Sequence, residues 1–286
     1  MMKLSDITYW KSFEKNLHVF DEFFLKNQKS FRLDENTQAL VSKKITQEGY
    51  FQLPVQNWEI DFQVLANLIS KLKKEKIPTT FAFVYDEYWL IFWKLSQISQ
   101  HLFGDHALRL PDFWAWHVDP QNSDAGWTPH RDKDYQTLNV DGSPKSITFW
   151  IPLTNAFPGN GCMYIVPANF DKNYGTPDDK KWDFDLSSIR ALPAKAGSIF
   201  CWNQAVLHWG SKCSTFETEP RVSIAMEFQS SRIAPLNQPV MPVNEIPSFE
   251  IRLKLIAKQI LQYQHMYPLE TEIRNIAESI IGTSDR

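Results

Sequence analysis

Cysteine is scarce in this chain: three in 286 residues, at 162, 201 and 213, with no CxxC spacing. They cannot all pair, so they read as small buried hydrophobes in a reducing compartment. An excess of one charge is missing too. Lys and Arg total 30 against 33 Asp and Glu, and the net charge of −3 leaves no footprint for nucleic acid. The densest basic run, Lys71, Lys73, Lys74 and Lys76, falls at the end of an expected helix, where it complements the dipole and faces water. No apolar run approaches the roughly 20 residues of a membrane span. The opening stretch MMKLSDITYWKSFEKN carries charge where a secretory signal needs an apolar centre. Repeats and low-complexity segments are also lacking. What is present, 43% hydrophobic and 22% charged residues, is globular and supports a sizeable core. The expectation is a cytoplasmic protein with neither nucleic-acid nor membrane partners.

The chain divides by rhythm. Residues 5–48 mix aromatics and charge, and Trp10, Phe13, Leu17, Phe20 and Phe24 are spaced to form one apolar stripe on a helix. Residues 49–54 read as a short strand, 61–74 as a second amphipathic helix, and 81–103 as an apolar segment buried inside an N-terminal layer. From about 107 the pattern becomes short runs bounded by turn residues. Strands are expected at 113–118, 146–153, 162–166, 198–202 and 221–229, with turns at 141–144, 158–161 and 174–177. A Pro-rich connector (Pro235, Pro239, Pro242, Pro247) leads to helices at 248–265 and 269–281. An isoleucine stripe over 273–281 can dock on its own sandwich or on a neighbour's. The fold expected is α+β, mainly β: a jelly-roll sandwich wrapped by terminal helices. It is read as one domain, 1–286, with a helical layer (1–106), a core (107–232) and a connector with C-terminal helices (233–286).

Within the core, His130-Arg-Asp132 follows a turn containing Gly126 and Pro129, His208 opens His-Trp-Gly-Ser211, and Arg221 heads a strand. Two imidazoles and a carboxylate can hold iron(II) on one face and leave three positions open. An arginine fork suits the far carboxylate of a dicarboxylate cosubstrate and keeps its charge when buried. Alternation puts Arg221, Ser223, Ala225 and Glu227 on one face of the strand. His-x-Asp alone is a weak signal, because His117-Val-Asp119 has the same spacing. His117 ends an aromatic strand, whereas His130 follows a turn and leads into a charged loop, which favours His130. His18, His101, His106 and His265 read as hydrogen-bonded structural residues. Six of the eleven tryptophans fall in the strand region, as sandwich core or as the wall of a dry cavity. Arg131 is either a surface residue or a guide for an anionic substrate.

These residues resemble the phytanoyl-CoA dioxygenase family of iron(II)/2-oxoglutarate oxygenases. The resemblance runs from about 107 to 230 and rests on order and spacing: His130-x-Asp132, Trp150-Ile-Pro-Leu153, Asn160-Gly161, Ile165-Val-Pro167, the strand from Gly197 to Trp202, His208-x-Gly-Ser211, Arg221 and Ser223. It implies iron ligands at His130, Asp132 and His208, a 2-oxoglutarate C5 carboxylate on Arg221 supported by Ser223, and Trp150 near the cosubstrate. The implied reaction oxidises a C–H bond of a small organic substrate with molecular oxygen, most simply by hydroxylation, while 2-oxoglutarate is decarboxylated to succinate. Related halogenases replace the carboxylate ligand with alanine or glycine, and Asp132 fills that position here. Two motifs depart from the family: Pro167-Ala-Asn-Phe170 stands for Pro-Gly-Ser-His, and Gly197-Ser198 for Gly-Asp. Nothing in the chain supports an acyl-CoA substrate. The substrate pocket is expected from loops around 118–145 and 168–195 and from the N-terminal helices. The alternatives are a cupin-like metal protein that does not use 2-oxoglutarate, with Arg221 structural, or a non-catalytic sandwich that binds a ligand or partner. Oligomeric state stays open.

Overall fold

A computed structural model describes residues 3–122 and 124–282. Its frame is a six-stranded antiparallel sheet built from β1 (Tyr50–Leu53), β2 (Ala107–Val118), β3 (Ser146–Pro152), β6 (Ile199–Asn203), β8 (Arg221–Ser230) and β9 (Met241–Pro242), in the order β1-β6-β3-β8-β2-β9. A three-stranded sheet of β4 (Met163–Ile165), β5 (Arg190–Leu192) and β7 (His208–Gly210) covers part of it, in the order β5-β4-β7. Together they form the jelly-roll sandwich.

Period-two alternation splits each long strand between two cores. On β8, Val222, Ile224, Met226 and Phe228 join the larger core, and so do Ile147, Phe149 and Ile151 of β3 and Phe113 and Ala115 of β2. That core packs against helices on the outer face. The opposite residues, Ala225, Trp150, Trp114, Phe200 and Trp202, face the small sheet and form a second cluster with Met163, Ile165 and Leu192. The site lies on this inner side.

Helices α1 (Ile7–Phe13), α2 (Glu22–Lys26), α3 (Glu35–Gln47), α4 (Phe62–Lys74), α5 (Asp86–Lys94) and α6 (Ser96–Phe103) cover the outer face, joined by α7 (Phe249–Gln262) and α8 (Thr271–Gly282). The single stripe expected over Trp10–Phe24 is broken. Phe13 ends α1, Phe20 has φ +50° and is half exposed, and Phe24 belongs to a separate five-residue helix. Two buried carboxylates take the chain out of the helical path. Asp86 accepts the amides of Phe20 (3.0 Å) and Asp21 (2.8 Å), and Glu87 accepts the amide of His18 (3.1 Å). Asp86 also pairs with Arg252 of α7 at 2.5 Å, with both side chains fully buried. This ion pair ties the N-terminal loop, α5 and α7 together. The apolar 81–103 stretch is packed inside the helical layer, as its composition indicated. It is a 3-10 turn (Thr79–Val84) followed by α5 and α6, almost wholly buried. In α8, Ile273, Ile276 and Ile280 pack on the protein's own core. Among the described residues no helix is long and apolar enough to cross a membrane.

β2 is longer than its apolar run suggested, and a register irregularity between Arg109 and Phe113 separates its two halves. β9 covers only Leu108 and Arg109, so the edge beyond them has no strand partner. Side chains from helical elements cap its outward carbonyls instead: Gln259 on Phe113 (2.9 Å), Thr79 on Ala115 (2.6 Å) and Lys73 on His117 (3.1 Å). Capping of this kind keeps an open edge from recruiting another strand.

Candidate metal centre

Main-chain pairing brings the two histidines together. The segment from Ala125 to His130 runs antiparallel beside β7, with bridges at Ala125↔Lys212 and His130↔His208. His130 and His208 exchange both backbone hydrogen bonds at 3.0 Å, which sets their rings 4.5 Å apart. The two backbones can approach this closely only because both crossing residues are glycine. A Cβ on Gly126 would lie 2.4 Å from the Gly210 Cα. Gly161, at φ +84°, turns β4 beneath the same crossing, where a Cβ would meet the Ser211 carbonyl at 2.8 Å.

The ring orientations are held by carbonyls. The His130 Nδ1 sits 2.7 Å from the Thr128 oxygen and the His208 Nδ1 3.1 Å from that of Val206. With the proton on each Nδ1, each Nε2 presents a lone pair to the same point. Asp132 completes the set: its Oδ1 lies 3.5 Å from the His130 Nε2 and 3.6 Å from the His208 Nε2. Its Oδ2 is occupied by the Thr148 hydroxyl (2.8 Å) and the Trp202 indole (2.9 Å). One oxygen is therefore tied to the protein and the other is left for a cation. The three donor atoms all lie within 4.8 Å of one another. Adjacent octahedral ligands about 2.1 Å from a common ion sit about 3.0 Å apart, so the three donors would draw together to grip one.

The electrostatics agree. Burial alone would raise the Asp132 carboxyl, but the His208 and His130 imidazoles and the Trp202 indole hold it far below the usual carboxylate range. Burial pushes His208 down to about 4, keeping it neutral. His130 also loses solvation, yet the Asp132 carboxylate holds it above its ordinary value. The result is an anionic carboxylate with two nitrogens, a donor set suited to iron(II).

Arg221 lies on the same inner face and is 3% exposed. Its Nη1 donates to the Ser223 hydroxyl at 2.8 Å, and its guanidinium lies 5.6 Å from the centre of the Trp150 ring. Its Nε has no partner, and neither does the buried Trp150 Nε1. Among the described residues no carboxylate pairs with it, and burial lowers it to about 10. A buried cation without a counter-ion is costly by several kcal/mol, and a bound anion would remove that cost. His130, Asp132, His208, Thr148, Trp202, Trp150 and Arg221 all border one cavity of about 650 Å³, and Ser223 does not.

The second His-x-Asp pair does not join the centre. His117 neighbours Lys73, with 3.4 Å from Nδ1 to Nζ, and burial and that lysine lower it. Asp119 caps its own turn through Gln121 and Asn122. Arg131 is neither a surface residue nor a guide for substrate. It is buried against Asp171 (2.5 Å), the Ala205 carbonyl (2.6 Å) and the Asp179 carbonyl (2.8 Å), and so fastens the 171–179 loop. His18, His101, His106 and His265 each have a local hydrogen-bond partner.

Sequence reading missed Thr148 and Trp202, which orient Asp132. Alternation carried a usable signal for both, since each is two residues from another inner-face residue, Trp150 and Phe200. It also missed Tyr263 and Tyr267, which line the cavity from the end of α7 and beyond. No motif or period marks these two.

The family model for phytanoyl-CoA dioxygenase matches residues 18–216. The chain belongs to the phytanoyl-CoA dioxygenase family. It is thus an iron(II)- and 2-oxoglutarate-dependent oxygenase. Solved structures share the fold at low identity. The epimerase SnoN, in complex with Fe3+, alpha ketoglutarate and nogalamycin RO, is 17% identical, covers 69% of this chain and 85% of its own, and has a TM-score of 0.53. The non-heme monooxygenase ThoJ is 14% identical over 85% of this chain and 99% of its own, with a TM-score of 0.54. EctD from S. alaskensis, with 2-oxoglutarate and 5-hydroxyectoine, is 10% identical over 81% and 94%, with a TM-score of 0.50. No curated protein matches the sequence.

Proposed function

We propose that His130, Asp132 and His208 hold the iron, and that Arg221, supported by Ser223 and flanked by Trp150, binds the C5 carboxylate of 2-oxoglutarate. The observation that carries this reading is the buried, unpaired guanidinium sharing a cavity with the two-histidine, one-carboxylate cluster. Iron(II) with 2-oxoglutarate supplies the oxidising chemistry, activating molecular oxygen as the cosubstrate is decarboxylated to succinate, so that a C–H bond of a small organic substrate is oxidised. The protein's share is orientation and exclusion of water. Thr148 and Trp202 keep one Asp132 oxygen engaged and the other aimed. The Thr128 and Val206 carbonyls fix the tautomers. Trp114, Trp150 and Trp202 line the chamber and keep its interior dry.

Two titrations test the reading. Anaerobic iron(II) plus 2-oxoglutarate is expected to give a visible charge-transfer band, which Arg221→Ala abolishes while iron uptake persists. Iron uptake without the band in the unaltered protein would instead indicate a metal protein that does not use 2-oxoglutarate. His130→Ala is expected to lose iron binding and His117→Ala to keep it; the opposite result would assign the centre to the His117 pair instead.

A further inference from the structure

β8 carries a second ionisable side chain on the face that holds Arg221. Glu227 lies six residues on, about 20 Å along the strand at ordinary rise. It is 6% exposed and borders the same cavity. Its Oε2 accepts from the Gln204 amide at 2.6 Å and lies 3.5 Å from the Lys133 ammonium. Its Oε1 has no hydrogen-bond partner among the described residues. The Gln204 amide also reaches the Thr148 hydroxyl (3.3 Å), which bonds to Asp132. Thr148 also stands directly across the β3–β8 ladder from Glu227, so this chain of contacts sets a carboxyl group close to the proposed metal ligand. No step of the iron chemistry uses that group.

The wall beside it is aromatic. Trp114 stacks on Trp116 with ring centres 5.8 Å apart, meets Trp127 edge-on at 4.9 Å, and lies 4.4 Å from Tyr263. The Trp127 indole donates to the Tyr267 hydroxyl at 2.5 Å, which fixes this wall to the C-terminal segment. Trp127 in turn lies 5.2 Å from the His130 ring. A flat apolar body held here would lie in the cavity that both the centre and Glu227 border.

Charge narrows the occupant. Aromatic walls also suit cations, but the Lys133 ammonium already stands against Glu227 and repels a second one. An anion would have to displace the Glu227 carboxyl from that ammonium, its partner at 3.5 Å. Burial pushes Glu227 up to about 8, against the pull of Lys133, which favours hydrogen bonding over a second ion pair. We propose that Glu227 is the polar anchor of the substrate chamber, and that the substrate is an uncharged, ring-bearing small molecule presenting a hydroxyl group to it. This rests on the oxygenase reading of the neighbouring centre, yet binding can be tested without turnover.

Calorimetric titration of the full chain, loaded anaerobically with iron(II) and 2-oxoglutarate, would use 2-naphthol, naphthalene, 2-naphthoate and 2-naphthylmethylammonium as probes. The expected result is 2-naphthol binding about tenfold more tightly than either charged probe. Glu227→Leu should weaken 2-naphthol about tenfold and shift naphthalene less than twofold, and Glu227→Gln should restore 2-naphthol. A side chain that merely supports packing would move both probes equally, and that result overturns the proposal. So does a charged probe that matches or exceeds 2-naphthol in the unaltered protein, a comparison that stands even if the leucine variant fails to fold. Absence of 2-oxoglutarate uptake in the unaltered protein would overturn the reading of the centre instead, and is visible before any probe is added.

Discussion

At the residue scale, Arg221 and Glu227 show how one strand face can carry two opposite solutions to burying charge. Arg221 keeps its charge with no carboxylate beside it, whereas burial draws Glu227 towards its neutral form. Replacing Arg221 with lysine keeps the charge and loses the planar fork. The expected outcome is a rise of about 10- to 100-fold in the 2-oxoglutarate KM with iron affinity unchanged, from the 1.5–3 kcal/mol typical of a charged hydrogen bond. Glu227 makes a prediction of opposite kind. Its folded value is raised from 4.5 to about 8. Between those limits the folded protein holds a proton that the unfolded chain has released. Its contribution to stability is therefore complete below pH 4.5 and is lost as pH rises through 8. Glu227→Gln should flatten the fall of Tm across this window, as measured by thermal scans from pH 5 to pH 8.5. A slope unchanged by the substitution would mean the carboxyl is ionised in the folded protein.

At the scale of elements, the centre depends on a loop lying against β7, and that depends on two glycines. Gly126→Ala would force the backbones apart. The expected outcome is at least a tenfold loss of iron affinity with far-UV circular dichroism unchanged. The Asp86–Arg252 pair supports a different junction. Asp86→Ala strands a buried guanidinium and frees the N-terminal loop, and urea titration should show a loss of about 3–5 kcal/mol. These two sites also mark how far the sequence could be read. The strands 146–152 and 221–230 were visible because alternation and flanking turns agree. The cluster of His130, Asp132 and His208 was visible because its chemistry constrains residue type and order. The helical rhythm through Trp10, Phe13, Leu17, Phe20 and Phe24 misled, because a carboxylate more than 60 residues away captures the loop amides. Nothing local announces such a contact. Likewise Tyr263 reaches the chamber only because α7 packs along the edge of β2, and periodicity is blind to that arrangement.

For the whole molecule, the large sheet separates two cores, one under the helices and one facing the small sheet, and the aromatic chamber belongs to the second. The larger core runs unbroken from Leu4 in the N-terminal segment to Ala277 in α8 without passing through the metal cluster. Stability should therefore not depend on the ion. Chelation is expected to leave the circular dichroism intact. Iron(II) at about 100 times its Kd should add only about 2.7 kcal/mol, read as a modest rise in Tm. Unfolding on chelation would show that the ion is structural.

The paired amides and carbonyls of His130 and His208 carry one last consequence. Since the main chain, and not an ion, brings the two imidazoles side by side, the empty and loaded proteins should share one backbone and differ only by a closing of side chains. Uptake then becomes a matter of diffusion and desolvation, with no slow rearrangement before it. A chelated sample returned to ferrous salt should recover in a single fast phase.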